Sequence, residues 1–374
     1  MIYYLVFITS ALFIFLATLV QRKNRILTFF LIFLAIIILA ILASLRDYSV
    51  GTDTINYNNF YYFAEVSSNI YTYSHSMHNL FGIEYGFSIL TYIISLSHLS
   101  VHYFYFICEC IIGINIVFVL FSLSQKIDVT LGWLTYCFIF YTLSFNVLRQ
   151  SMALSIVLIA IMEVYKKHNV KAIILILLSY MFHSASLIVF MIFAFGFLLM
   201  KLRRKGQIFT LIIVFLLISI ILSTTFKNFG SLGIFGDKYS QYFGQQYAGQ
   251  QTIQSIWSTL AIRIPMILLA LYSLIINRNN LHKNNLFIYT LIIMEAVMLP
   301  FQLISQAIGR IVLYFGISKI VGYPLILNQL KFKPLLAFIM KILFIFFLMI
   351  LFYYQVIMNN NNMVYPYIIS NDFY

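Results

Sequence analysis

Charged side chains are scarce in this sequence. Among 374 residues, only 23 are lysine or arginine and 10 are aspartate or glutamate, so 9% are charged while 63% are apolar. An ordinary soluble domain carries about 25% charged residues. Because too few charged side chains are available for a water-exposed surface, the composition excludes a soluble globular domain.

The sequence also lacks cysteine spacings typical of disulfides, internal repeats, and the basic stretch that begins a signal peptide. Cys108, Cys110 and Cys137 all lie in apolar runs, and their spacing indicates neither a disulfide framework nor a metal site. We therefore expect no metal and no other cofactor. The first apolar run starts at Met1 without a preceding basic stretch, so we predict a retained helix rather than a cleaved signal peptide.

Long apolar runs, in contrast, recur along the whole chain. A helix needs about 20 mainly apolar residues to cross the hydrocarbon core of a membrane. We predict an all-α, polytopic membrane protein, a single integral-membrane domain of residues 1–374 with about twelve transmembrane helices. The predicted spans are 3–20, 26–45, 101–121, 130–145, 147–165, 171–182, 184–200, 207–223, 257–276, 286–304, 308–328 and 335–357. Residues 86–98 are apolar but short, and we predict a re-entrant or interfacial segment there.

The positions of the basic residues predict the orientation. The net charge of +13 lies mostly in short loops between apolar runs, so it indicates topology and no nucleic-acid partner is expected. Lysine and arginine concentrate in cytoplasmic loops. Their clusters lie at 22–25, 126, 166–171, 201–205, 278–283 and 331–333. Both termini and two larger loops, 46–100 and 224–256, are then predicted to be extracytoplasmic.

Four arginines lie where this rule disfavours them. Arg46, Arg149, Arg263 and Arg310 are placed at or just below the outer membrane surface. An arginine near a helix centre costs about 2.5–3.5 kcal/mol on insertion scales. Because a guanidinium offers a planar set of donors that suits phosphate, we interpret these residues as ligands of a lipid diphosphate. The alternative is that each arginine pairs with an acid or extends to the interface.

Two residues are candidate general bases. His183 lies at the break between two short spans, and such breaks often mark binding sites. Its ring can accept a proton near neutral pH, although capping a helix end is the structural alternative. Asp53 ends the turn-like triplet Gly51-Thr52-Asp53 and could orient or deprotonate a sugar hydroxyl. The alternative is an aspartate that bonds its own backbone.

At these residues the chain resembles the EpsG family of polysaccharide-biosynthesis membrane proteins, which overlaps the Wzy-type O-antigen and capsule polymerases. The matching motifs occur in order along nearly the whole chain. They are Arg46, Gly51-Thr52-Asp53, Tyr57, Glu84-x-Gly86-Phe87, Asn146-x-x-Arg149-Gln150-x-x-Ala153, Phe182-His183-Ser184-Ala185, Lys238-Tyr239-x-x-Tyr242, Arg310-x-x-x-Tyr314-Phe315 and Tyr365-Pro366-Tyr367.

The resemblance implies a membrane glycosyltransferase that polymerises undecaprenyl-diphosphate-linked repeat units at the outer face of the bacterial inner membrane. Besides these glycans and the lipid bilayer, a chain-length regulator is an expected partner. We assign Arg149 and Arg310 to the donor diphosphate, with Arg263 and Arg46 as weaker candidates. His183 is the first choice of base and Asp53 the second. Glycan contacts are assigned to Gln150, Tyr239, Tyr242 and Tyr314.

Three alternatives stay open at this point. A flippase for lipid-linked repeat units should carry charges deep through its lumen, where only Lys319 and Lys341 lie. An O-antigen ligase would use similar arginine and histidine chemistry, and only the family pattern disfavours it. A scaffolding protein would not explain why arginines gather where the insertion rules disfavour them.

Overall fold

The computed structural model describes residues 1–201, 253–276, 283–303, 309–330 and 332–371. These residues form helices, and the β-type pairing among them is a single bridge between Arg46 and Ile369. In chain order the α-helices are α1 (Ile2–Val20), α2 (Arg25–Ser44), α3 (Thr54–Val66), α4 (Ile70–Phe81), α5 (Tyr85–Ser95), α6 (Val101–Ser122), α7 (Val129–Thr135), α8 (Leu148–Tyr165), α9 (Asn169–Tyr180), α10 (Ile188–Lys201), α11 (Ile253–Ile276), α12 (Lys283–Val297), α13 (Val312–Gly316), α14 (Lys319–Gln329) and α15 (Pro334–Phe352). Within these ranges, the prediction of an all-α fold is confirmed.

Five described helices are long and apolar enough to cross a membrane. They are Ile2–Val20, Arg25–Ser44, Val101–Ser122, Leu148–Tyr165 and Pro334–Met358. Large apolar side chains on their surfaces, such as Ile26 and Phe29, are exposed. Such a surface is unfavourable in water but matches lipid. The chain is therefore a membrane protein; the number of crossings stays a prediction.

Several predicted spans are shorter or interrupted. Span 308–328 consists of two helices, α13 and α14. Span 130–145 begins as α7 and continues through a π-helical turn, Tyr136–Phe140, and a 3-10 turn, Tyr141–Phe145. Residues 86–98 largely form the 11-residue helix α5. Span 207–223 lies outside the described residues.

The predicted outer loop 46–100 is mostly helical, because it contains α3, α4 and α5. Local signals set the bounds of α4. Asn69 caps its start by accepting the Thr72 N–H at 2.9 Å, and Gly82 ends it in the left-handed conformation with a φ of 61°. The second predicted loop, 224–256, lies almost entirely outside the described residues.

The chain divides into two compact units. The first contains Met1–Glu163, His168–Leu187 and Tyr323–Tyr374, and the second contains Val164–Lys167 and Ile188–Gly322. In the first unit, α1 packs against α2 and α7, and α2 packs against α6. In the second, α12 packs against α10, α11 and α13. The single-domain assignment stays a prediction.

Segments predicted to share a membrane face contact one another within the first unit. His102 Nδ1 lies 2.6 Å from Ser44 O and joins the outer ends of the predicted spans 26–45 and 101–121. Asn146 Nδ2 donates to Asn362 O at 2.9 Å and joins the outer turn near 146 to the predicted outer C-terminal segment. Cytoplasmic segments are joined by Arg22 Nη2 donating to Gln125 Oε1 at 3.0 Å and by Asn328 Nδ2 donating to Lys126 O at 3.3 Å.

Candidate functional site

An open cavity of about 310 Å³ lies in the first unit, between α3, the connection from α4 to α5 and the first turn of α8. Its lining residues are Asp53, Asn56, Tyr57, Asn59, Phe60, Phe63, Phe81, Ile83 and Arg149. Two of the residues singled out from the sequence therefore share this cavity: Asp53, a candidate base, and Arg149, a candidate diphosphate ligand.

The turn before α3 directs Asp53 toward the cavity. Gly51 has a φ of +100°, and a Cβ atom there would lie 2.9 Å from Asn146 Oδ1, so only glycine fits. Asn146 Oδ1 in turn accepts the Thr52 N–H at 2.5 Å, which fixes the turn to the start of α8. Asp53 occupies the N-cap position of α3 but its carboxylate makes no capping hydrogen bond. The carboxylate accepts from the Thr52 hydroxyl at 3.3 Å and lines the cavity.

Arg149 is oriented by Glu84. Arg149 Nη1 donates to Glu84 Oε2 at 2.5 Å, and the two side chains are 26% and 13% exposed. Glu84 Oε1 accepts the Ser184 N–H at 2.9 Å. Since Ser184 follows His183 directly, the Glu84 carboxylate contacts both Arg149 of α8 and the turn that contains His183.

Glu84 is ionised at neutral pH despite its burial. Burial alone would raise the pKa of the Glu84 carboxyl, but the Arg149 guanidinium, the Ser184 N–H and the His183 ring together hold this pKa below its ordinary value. The contact with Arg149 is therefore a charged pair, whose hydrogen bond is about twice as strong as a neutral one.

The sequence does not identify Glu84 as a site residue, although it belongs to the motif Glu84-x-Gly86-Phe87. Gly86 explains the spacing of this motif. Its N–H donates to Met181 O at 2.8 Å, and a Cβ atom on residue 86 would lie 2.6 Å from that oxygen. The absence of a side chain lets the start of α5 approach the end of α9, which brings Glu84 to Ser184.

Arg46 is buried, with 2% of its surface exposed, and is not among the residues that line the cavity. Its guanidinium carbon lies 3.7 Å from the ring centroid of Tyr105 and 4.5 Å from that of Phe145. Nη1 donates to Ala43 O at 2.5 Å. Cation–π contacts thus stabilise the charge. Gln150 is buried as well. The assignments of both residues to substrate stay predictions.

The other arginines of the predicted site belong to the second unit. Arg263 Nε donates to Glu295 Oε1 at 2.9 Å, and Lys319 Nζ donates to the same oxygen at 2.5 Å. Arg310 is exposed and Tyr314 is buried. Tyr239 and Tyr242 lie outside the described residues.

Arg149 and Arg263 thus both pair with an acid, which is the alternative to diphosphate binding that the sequence left open. Such a pair compensates the charge of an arginine in a membrane protein, and it does not by itself assign a substrate. Arg149 also lines a cavity together with a second titratable residue, Asp53. Within the described ranges, no group of three or more His, Cys, Asp or Glu side chains is arranged to hold a metal ion.

The motifs that form this cavity lie within a family sequence pattern that extends along most of the chain. The sequence model of the EpsG family matches residues 29–369. The chain belongs to the EpsG family. EpsG proteins are Wzy-like, polymerase-type membrane proteins, and the match includes all the residues that line the cavity. Comparison with curated proteins and with solved structures finds no match.

Proposed function

We propose that this EpsG protein polymerises undecaprenyl-diphosphate-linked oligosaccharide repeat units into a surface polysaccharide, such as O-antigen or capsule. The observation that supports the proposal is the cavity in which Arg149, oriented by Glu84, and Asp53 occur together. A fixed cation suits the diphosphate of both lipid-linked substrates. A carboxylate beside it suits a sugar hydroxyl.

In the proposed reaction, the terminal hydroxyl oxygen of the acceptor repeat unit bonds to the anomeric carbon of the donor's reducing-end sugar. The bond between that carbon and the diphosphate oxygen breaks, and undecaprenyl diphosphate leaves with the electron pair. Arg149 stabilises the charge that develops on the leaving group, and preorganised charges of this kind are often the largest contribution to catalysis. Asp53 or His183 accepts the hydroxyl proton.

The remaining assignments from the sequence are part of the proposal. Arg310, Arg263 and Arg46 bind diphosphate, and Gln150, Tyr314, Tyr239 and Tyr242 contact glycan. We also propose about twelve crossings of the inner membrane, with the cavity and both termini on its outer face. The contacts among predicted outer segments and among predicted cytoplasmic segments support this arrangement. A separate chain-length regulator is a proposed partner.

Deletion of the gene in its host tests the proposal. We expect the ladder of surface polysaccharide on a gel to collapse to core plus one repeat unit, and the wild-type gene to restore it. The Arg149→Ala variant should restore no polymer at a normal membrane level, because the diphosphate loses its cation. Arg25→Ala is the matched control, since Arg25 is exposed and distant in sequence from the site; it should restore the ladder.

Other outcomes point elsewhere. Loss of every repeat unit from the surface would favour a flippase or a ligase over a polymerase. An unchanged ladder in the deletion strain would remove the protein from the pathway. A full ladder from Arg149→Ala would overturn the role of this arginine while leaving the polymerase proposal to the deletion result.

A further inference from the structure

The side chains that line the cavity, apart from the aliphatic Ile83, are of three chemical kinds. Tyr57, Phe60, Phe63 and Phe81 are aromatic, Asn56 and Asn59 are amides, and Asp53 and Arg149 are charged. A sugar ring has apolar C–H faces and a rim of hydroxyls, so it is complementary to aromatic rings beside amide and carboxylate groups. A lipid chain would not use the amides, and an isolated anion would not use the phenyl rings.

One face of α3 supplies most of this lining. Asn56, Asn59, Phe60 and Phe63 occur at positions i, i+3, i+4 and i+7, which place them on the same side of a helix. The two amides, at i and i+3, and the two aromatic rings, at i+4 and i+7, therefore follow one another along one surface, which suits a ring with polar edges and apolar faces.

This face is held in place by the neighbouring helix. The rings of Phe60 and Phe81 lie 5.6 Å apart between centroids at an angle of 52°. Tyr73 Oη of α4 donates to Phe60 O at 2.8 Å. Because α4 contacts both the ring and the backbone of residue 60, the surface is formed before any ligand binds, which lowers the entropic cost of binding.

The volume of the cavity limits the size of the ligand that it can hold. Small-molecule pockets span about 300–1,000 Å³, and this cavity, with about 310 Å³, lies at the lower end. It suits one small ring system and not a whole oligosaccharide. Since the reducing-end sugar is the ring bonded directly to the diphosphate, it is the ring that lies beside Arg149 when this residue binds the phosphate.

We infer that the cavity is a subsite for the reducing-end sugar of the lipid-linked donor, stacked on Phe63 and hydrogen-bonded by Asn59 and Asp53. This inference rests on the proposed function, because it takes the ligand of Arg149 to be a sugar-bearing diphosphate. The face of α3 thereby sets which first sugar the protein accepts.

The test compares two probes with the full chain in lipid nanodiscs: undecaprenyl diphosphate without sugar, and the lipid-linked repeat unit extracted from the deletion strain. Phe63→Ala should weaken binding of the sugar-bearing probe about tenfold, the size expected for a lost aromatic contact. Asn59→Ala should weaken the same probe. Neither variant should change the affinity for undecaprenyl diphosphate, and retained binding of this probe also shows that the variants fold.

Tyr62→Ala is the matched control. Tyr62 is the neighbour of Phe63 on α3, both side chains are 52% exposed, and Tyr62 does not line the cavity. Its replacement should change neither affinity.

Two results would overturn the subsite: Phe63→Ala weakening both probes equally, or both variants binding the sugar-bearing probe as the wild type does. Elongation of the extracted repeat units in the same nanodiscs reports on the proposed function separately. Failure of the wild type to elongate them would refute the polymerase, whereas elongation with unaltered binding by both variants would refute the subsite alone.

Discussion

At the scale of single residues, the Arg149–Glu84 pair determines what Arg149 can do. A guanidinium has five N–H donors, and Glu84 engages Nη1 while the side chain also lines the cavity. Because Glu84 holds Nη1, the orientation of the other guanidinium N–H groups of Arg149 is fixed. Glu84 is thus a positioning residue, and its loss leaves a largely buried charge uncompensated.

Replacing Glu84 with Gln should therefore destabilise the protein and lower its activity. Removing one partner of a fully buried pair costs about 3–5 kcal/mol, and the partial exposure of this pair reduces the expected loss to roughly 1–3 kcal/mol. Thermal unfolding in detergent measures it. Glu65→Gln on α3 is the control, because Glu65 is partly exposed and makes no described ion pair.

The pH dependence of unfolding gives a second measurement on the same pair. Because the pKa of Glu84 is lowered in the folded protein, its contribution to stability is complete above the ordinary carboxyl pKa of about 4.3. The contribution is lost as the pH falls through the lowered folded pKa. The wild type should lose this increment of stability on acidification and Glu84→Gln should not; identical acid transitions in the two proteins would contradict the charged pair.

Kinetic measurements distinguish which of the two candidates, Asp53 or His183, is the general base. Loss of a general base lowers kcat by about 10²–10⁴-fold. We expect this result from Asp53→Asn or from His183→Gln in an elongation assay. Asp47→Asn is the control, since Asp47 lies in the same segment and accepts from Ser49 instead of lining the cavity. If both variants keep kcat within a few-fold, neither residue is the base.

The sequence identified Arg149 and Asp53, which share the cavity, because charge in an apolar chain and a Gly-Thr-Asp turn are local signals. The partner of Arg149 could not be identified in this way. Glu84 is separated by 65 residues from Arg149 and by 100 from Ser184, so only the fold brings them together. The sequence does not single out Phe60 or Phe63, because it contains 38 phenylalanines.

At the scale of elements, the close approach of α5 to the end of α9 carries Glu84 to the His183 turn. Hydropathy predicted a span at 171–182, which overlaps α9, and a short re-entrant or interfacial segment at 86–98, which α5 largely occupies. It did not predict the break between α13 and α14 or the π turn at Tyr136–Phe140. Such breaks depend on which backbone groups pair locally, and the mean hydropathy of a run contains no information on that pairing.

Gly86→Ala tests this approach. The added Cβ would lie 2.6 Å from Met181 O, a backbone atom that cannot move aside alone, so we expect a loss of about 1–3 kcal/mol and reduced polymer. Gly113→Ala is the control, because its Cβ would meet the Ile36 side chain at 3.0 Å, and a methyl group yields more easily. Equal small effects of the two substitutions on unfolding temperature and polymer length would contradict the proposed role of Gly86.

At the scale of the whole molecule, the basic loops predict which segments face the cytoplasm. In the first unit, predicted outer segments contact one another and predicted cytoplasmic segments contact one another. Composition alone established the membrane class, because 9% charged residues cannot cover a soluble surface. The division into two units was not predicted, since nothing in the spacing of apolar runs indicates which helices pack together.

Cysteine labelling in spheroplasts measures the sidedness. In a background with Cys108, Cys110 and Cys137 replaced by Ala, an impermeant maleimide should label Ser49→Cys directly. It should label Gln125→Cys only after permeabilisation. Both positions are exposed, so accessibility does not bias the comparison. The reverse pattern would place the cavity on the cytoplasmic side and exclude a reaction at the outer face.

The last described segment of the chain has a consequence for biosynthesis. Gly51 N–H donates to Met363 O at 2.9 Å, and the Asn146 amide donates to Asn362 O, 216 residues further along the chain. During translation the Asp53 turn and the start of α8 are made long before these partners leave the ribosome. A nascent chain therefore lacks these two contacts of the Asp53 turn and of Asn146 until residues 362 and 363 have been made. Under the proposed function, the substrate site gains its full support only late in synthesis.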